Sequence, residues 1–143
     1  MPGWVRKVLA ILSGVIAVTA VAGGIALIVG SITPGSSGTI VPDQAFLDTS
    51  PFTSYTIPGL VLAGVVGGSQ AVASIALLRR SRIAGAATAV AAFALLVWIF
   101  VQMMFIPFSV LQAIYFGAAA AELGFLLLAL GLLEPERAGV ARN

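Results

Sequence analysis

Cysteine and histidine are both absent from the 143 residues of this chain, and charge is scarce, with Asp, Glu, Lys and Arg together making up 8%. Without cysteine there are no disulfides, no thiolate metal sites and no thiol redox chemistry. Without histidine there is no imidazole ligand and no side chain whose unperturbed pKa lies near neutrality. Together these absences remove most catalytic constellations. No nucleophile–base pair or metal-ligating cluster is legible, so neither enzymatic activity nor a cofactor is expected. Seven basic against five acidic residues leave a net charge of +2. The basic residues are spread over three short segments, which makes no face for nucleic acid. Soluble domains carry about 25% charged residues. A chain that is 60% apolar, with a mean hydropathy of +1.13, has more apolar surface than a soluble fold of this length can hide. The lipid bilayer is its expected solvent.

Four long apolar runs are present, and they predict an all-α, four-helix transmembrane bundle with spans near 8–30, 57–78, 83–104 and 112–133, forming a single membrane domain over 1–143. The first run is uncharged from Val8 to Gly30. Ala20-Val21-Ala22 would serve as a signal-peptide cleavage site, but a signal core is usually about 7–15 residues long. This run continues through Ile25–Val29 and covers roughly 34 Å, enough for the hydrocarbon core, so it is expected to stay as a first helix.

Residues 31–56 form the one sizeable polar loop. Pro34-Gly35-Ser36-Ser37-Gly38 stops any helix there, Pro42–Leu47 fits one helical turn, and Phe52 and Tyr55 suit the headgroup region. Pro58 falls in the first turn of the second span, where a missing amide hydrogen costs little. Arg79, Arg80 and Arg82 make the turn into the third span, and Phe105–Leu111 makes the turn into the fourth. Residues 134–143 are expected to be a flexible tail.

Orientation follows from the basic residues. They occupy the N-terminal segment, the turn at 79–82 and the tail, and none falls in 31–56 or 105–111. Basic residues near span ends are retained on the cytoplasmic side, which places both termini inside and the 31–56 loop outside. Val21-Ala22-Gly23-Gly24 and Val65-Val66-Gly67-Gly68 are alike, but in a chain this rich in Ala, Val and Gly the match does not establish an inverted repeat.

Within the spans the small and polar residues stand out. Gly64 and Gly68 form a small-xxx-small pair, beside which Ala63, Gly67, Ala71 and Ser74 continue a stripe. Membrane helices associate by close backbone approach, so this face is expected against another helix, in the same bundle or in a second protomer. Gln70 lies on that face, and an amide in hydrocarbon must find partners. Glu122 is the only acidic residue within the four runs. A charged side chain at a helix centre costs about 2.5–3.5 kcal/mol and faces the bundle interior or a wet cavity. No Lys or Arg lies at its depth, so the carboxyl is expected in its neutral form. The depths of Gln70 and Glu122 differ by roughly 5 Å, which is within reach of two long side chains. Tyr115 shares the face of Glu122, about two turns away. Trp98 and Gln102, with Tyr55, Phe105, Phe108 and Tyr115, are expected to form an outer aromatic belt, and Trp4 an inner one.

The segment Ser50–Leu60, followed by Val65-Val66-Gly67-Gly68-Ser69, together with Trp98, Gln102 and Phe108–Phe116, resembles a group of small, uncharacterised four-helix membrane proteins of high-GC actinobacterial type. The resemblance covers most of the chain from 8 to 133. It implies a multi-pass protein of a bacterial cytoplasmic membrane, and it brings no activity. In outline the chain is also similar to small multidrug resistance transporters. Their essential glutamate lies in the first helix, however, and here that helix has no carboxylate. Bundles of the vitamin K epoxide reductase type need cysteines and do not fit.

Two functions are compatible with these residues. The first is a non-enzymatic accessory or interaction protein, with the bilayer, a second copy or another membrane protein as partner. The alternative is a small proton-coupled transporter using Glu122 with Gln70 and Tyr115. For the topology, a reporter active only outside the cell is expected to stay silent when fused after Asn143 and to be active when inserted in the 31–56 loop. The reverse pattern would overturn the orientation.

Overall fold

A computed structural model describes residues 1–34 and 42–133. Among these residues there is no strand. Four helices are long and apolar enough to cross a membrane: α1 Gly3–Ile32, α2 Thr56–Leu78, α3 Ala84–Phe105 and α4 Val110–Ala129. The chain therefore has the all-helical, four-span architecture of a membrane protein. The expected tail and most of the Pro34–Gly38 cluster lie outside the described residues.

Helix boundaries differ from the apolar runs where end chemistry takes over. α1 begins at Gly3, directly after Pro2, and includes Arg6 and Lys7. Charge excludes residues from hydrocarbon but not from a helix. α4 starts at Val110 rather than 112, because Ser109 and Gln112 form a reciprocal capping box that satisfies two orphan amide hydrogens. It ends at Ala129 rather than 133. Gly131 takes φ +72°, and the Gly131 and Leu132 amides donate to the carbonyls of Leu128 and Leu127, a helix stop that favours glycine. Arg80 closes α2 in the same way at φ 53°, with the Ser81 amide donating to Ala76 at 2.9 Å.

α1 packs beside α2 and α4, α3 packs beside α2 and α4, and α1 and α3 are diagonal. Two apolar layers fill the interior. One, toward the 42–55 loop, contains Ile16, Ala20, Val66, Leu95, Trp98, Ile99 and Ala119. The other, toward the arginine turn, contains Val5, Leu9, Ala10, Ala76, Leu77 and Ala84. The polar residues Ser13, Gln70 and Glu122 are fully buried, and on each helix they fall between the positions of the two layers. Outward faces are large and apolar: Ile11, Val18 and Phe100 are each about two-thirds exposed (68%, 70% and 67%). That much unpartnered hydrocarbon is what a lipid-facing surface presents.

α1 and α2 run antiparallel with their backbones in contact. A Cβ on Gly24 would sit 2.5 Å from the Gly59 carbonyl oxygen, and one on Gly59 would sit 2.7 Å from that of Gly24. Farther along, a Cβ on Gly67 would sit 2.7 Å from Val21. Of the two neighbours expected for Gly64 and Gly68, a helix of the same bundle is not in contact, since nothing lies within 4 Å of either added Cβ. Leu62–Gly67 form a wider π-helical turn. Gly64 and Gly68 each follow a residue of the line Gly59, Ala63, Gly67 that faces α1, and at about 100° per residue they lie well round the helix from it.

The described part of the loop folds over one end of the bundle. Asp43 caps a single 3₁₀ turn, Gln44–Leu47, by accepting from the Ala45 amide. Buried Leu47 and Tyr55 pack with Leu27, Phe52 and Ile106, so Tyr55 sits inside a small loop core and not in an exposed belt. Its hydroxyl donates to the Asp43 carbonyl at 2.9 Å. Burial, and then the nearby Asp43 charge, raise the Tyr55 phenol above its ordinary value. A raised folded-state value favours the neutral form, so this contribution is intact below about pH 10 and is lost as pH rises past the shifted value.

The glycine contact yields a comparison. Gly24→Ala is expected to destabilise the bundle by about 1–3 kcal/mol through overpacking. Gly64→Ala, which meets open space, should leave the thermal unfolding midpoint in detergent unchanged or raise it. Equal losses from the two changes would contradict this packing.

Candidate functional site

The polar layer is built from three helices. α4 supplies Glu122, α2 supplies Gln70 and α1 supplies Ser13. The Ser13 hydroxyl donates to Glu122 Oε1 at 2.6 Å, and the Gln70 amide Nε2 donates to Oε2 at 2.8 Å. All three residues have zero solvent exposure. Gln70 reaches Glu122 across the bundle diagonal, so the carboxyl lies near the bundle axis. Ala119, also fully buried, lies on the preceding turn of α4, where its small side chain leaves room for close packing.

A second contact fixes the same region. The Ser74 hydroxyl donates to the Ala10 carbonyl at 2.8 Å, one turn beyond Gln70 and one turn before Gly14. A Cβ on Gly14 would lie 3.2 Å from Ser74 Oγ. The small residue there lets the serine reach the backbone of α1. Gln70 Oε1 is buried and has no hydrogen-bond partner. In a dry interior this acceptor is a cost that the Gln70–Glu122 bond must outweigh.

Of the residues the sequence singled out, the structure brings Gln70 and Glu122 together. Tyr115 is half-buried and packs against the loop-side layer, about 10 Å along α4 from Glu122 by helical rise. Gly67 lies in the α1–α2 contact, whereas Gly64 and Gly68 do not. Trp98 is 9% exposed and belongs to the apolar core, which removes it from the expected belt. Ser13 is the member that sequence reasoning missed. Its signal was weak, because a hydroxyl in an apolar helix normally bonds its own backbone, as Thr19, Ser31 and Thr88 do here.

The arrangement joins three helices through one carboxyl. Ser13 stands beside the carboxyl as a hydroxyl beside a base, but none of the three residues lines the cavity at the loop end and all three have zero solvent exposure. Among the described residues no group of three or more His, Cys, Asp or Glu could hold a metal ion. No family model, no curated protein and no solved structure matches this chain.

The two hydrogen bonds define a substitution series. Glu122→Gln keeps the shape, can still accept one bond, and brings an amide hydrogen for the orphan Gln70 oxygen. It is expected to cost less than about 1 kcal/mol, in line with interhelical bonds in membrane bundles. Glu122→Leu leaves the Ser13 hydroxyl and the Gln70 amide unpaired and should cost about 1–3 kcal/mol. Adding Gln70→Leu and Ser13→Ala to Glu122→Leu should recover much of that loss. Unfolding in detergent measures all three, and a Gln variant as damaged as the Leu variant would contradict the account.

Proposed function

We propose that this chain is a small, non-enzymatic accessory protein of a bacterial cytoplasmic membrane, with both termini inside, acting through contact with another membrane protein or a second copy. The observation that carries this reading is the closure of the polar centre. The one carboxyl within the spans has both oxygens held by side chains of other helices and has no solvent exposure. A carboxyl that carried protons or cations would need an aqueous path, and this one is packed between two apolar layers.

A second feature fits the interaction reading. Gly64 and Gly68 face outward from α2 with open space above them, and a small-xxx-small pair on a lipid-facing surface allows another helix to approach closely.

The competing reading, a small proton-coupled transporter using Glu122, has one observation on its side. The unpartnered Gln70 oxygen next to the carboxyl is an acceptor to which a transferred proton or a cationic ligand would bind. Tyr115, expected to share that role, lies about 10 Å along α4 from Glu122 by helical rise.

Purification from native membranes after mild cross-linking discriminates the two. The accessory reading expects a partner, or a second copy, at fixed stoichiometry with wild type and with Glu122→Gln, and its loss with the Gly64→Leu/Gly68→Leu double variant. Vesicles containing the protein alone should then dissipate a pH gradient no faster than empty vesicles. Proton flux that Glu122→Gln abolishes would overturn the accessory reading in favour of transport.

A further inference from the structure

The loop end of the bundle holds a cavity of about 480 Å³ between α2 and α3, beneath the 42–55 segment. Its size falls within the range of about 300–1,000 Å³ typical of small-molecule sites. Three features of its wall point to the kind of molecule it takes. First, the helical wall is hydrocarbon and indole, with Val61 and Val65 from α2 facing Ala94, Val97 and Trp98 from α3. Second, the hydroxyl- and amide-bearing side chains on it, Ser50, Tyr55 and Gln102, belong to the loop or to the last turn of α3. Polarity is thus confined to one end. Third, the cavity is continuous with the outer surface of the bundle, since its wall residues Val65, Phe93 and Val97 are each more than half exposed (56%, 58% and 60%). In a membrane-spanning chain that surface faces lipid.

Length narrows the class further. α3 lines the cavity from Phe93 to Phe105, which is roughly 18 Å at the helical rise. One leaflet of the hydrocarbon core is about 15 Å deep. The slot is therefore as long as one leaflet, apolar at the depth of the chains and polar at the depth of the headgroups.

We propose that this cavity is a binding site for the single hydrocarbon chain of a membrane amphiphile from the loop-side leaflet, with its polar end at Ser50 and Gln102. The site is separate from the Ser13–Gln70–Glu122 layer and does not depend on the function proposed above. Trp98 forms its inner wall, and the docked loop closes its end. The chain enters sideways between α2 and α3, past Val65 and Phe93, without crossing water.

The chain contains two tryptophans, and only Trp98 lines the cavity. Trp4→Phe therefore leaves Trp98 as a single reporter. In nanodiscs of unlabelled lipid, a bromine-labelled fatty acid is titrated and tryptophan quenching is recorded. The proposal expects saturable quenching of Trp98, with loss of the saturating component when Ala94→Phe fills the half-buried wall. Trp4, observed alone in Trp98→Phe, should be quenched only in proportion to bulk probe. Val97→Phe on the exposed rim repeats the test if Ala94→Phe does not fold. Trp98 quenching that rises linearly and in parallel with Trp4 would overturn the proposal. So would a two-chain particle that Ala94→Phe converts to a single chain, which would identify a second copy as the occupant.

Discussion

A carboxyl group inside an apolar bundle must find hydrogen-bond partners within the protein, because lipid tails and packed side chains supply none. Glu122 meets this constraint with one partner from each of two other helices. Meeting it fixes the axial register of α1, α2 and α4 at one level, since sliding any of them by a turn would leave a buried polar group unpaired. The apolar layers on either side tolerate many arrangements of Leu, Val and Ala, whereas the polar layer tolerates few. This division resembles the use of a single buried polar position to set register in coiled coils. Here a hydroxyl and an amide share the carboxyl between them.

The close approach of α1 and α2 is the second determinant, and the first requires it. Ser13 and Gln70 reach the same carboxyl, and Ser74 reaches the Ala10 carbonyl, only if the two backbones lie nearly in contact. Gly24 and Gly59 allow this where they cross. Gly67, at the end of the π turn over Leu62–Gly67, also meets α1, so the contact continues toward Gln70. Wider turns of this kind often occur where a helix must present side chains out of simple α-helical phase. In this chain the residues so presented are the small ones.

Much of the fold was legible because spanning a membrane is a one-dimensional property, readable from long uncharged runs. The ends were less legible. Helix α1 keeps its helical hydrogen bonds through two basic residues, and α4 is set by the Ser109–Gln112 cap and by Gly131, signals that hydropathy does not register. The pairing of Gln70 with Glu122 was accessible by counting depth along two spans. Ser13 was not, because its hydroxyl looks in sequence like Thr19, and only the three-dimensional neighbour makes it different. The Gly64/Gly68 pair was expected against another helix, of the same bundle or of a second protomer, and among the described residues no helix lies against it. Trp98 was read as an interfacial anchor from its position near a span end, but contacts across the bundle draw it inward.

The polar centre and the loop-end cavity divide the interior between them, one closed and the other open toward lipid. In the closed part, Ser13, Gln70 and Glu122 are packed helix to helix with zero solvent exposure, a contact that leaves no aqueous path to the carboxyl. The chain has no cysteine, so Ala119→Cys places a single thiol one turn from Glu122 with little change in volume. Reaction with small water-soluble thiol reagents, applied from each side of intact membranes, tests access directly. The account predicts no labelling from either side until the protein is unfolded. Rapid labelling from one side in the folded protein would show a water-filled route to the carboxyl and would contradict it.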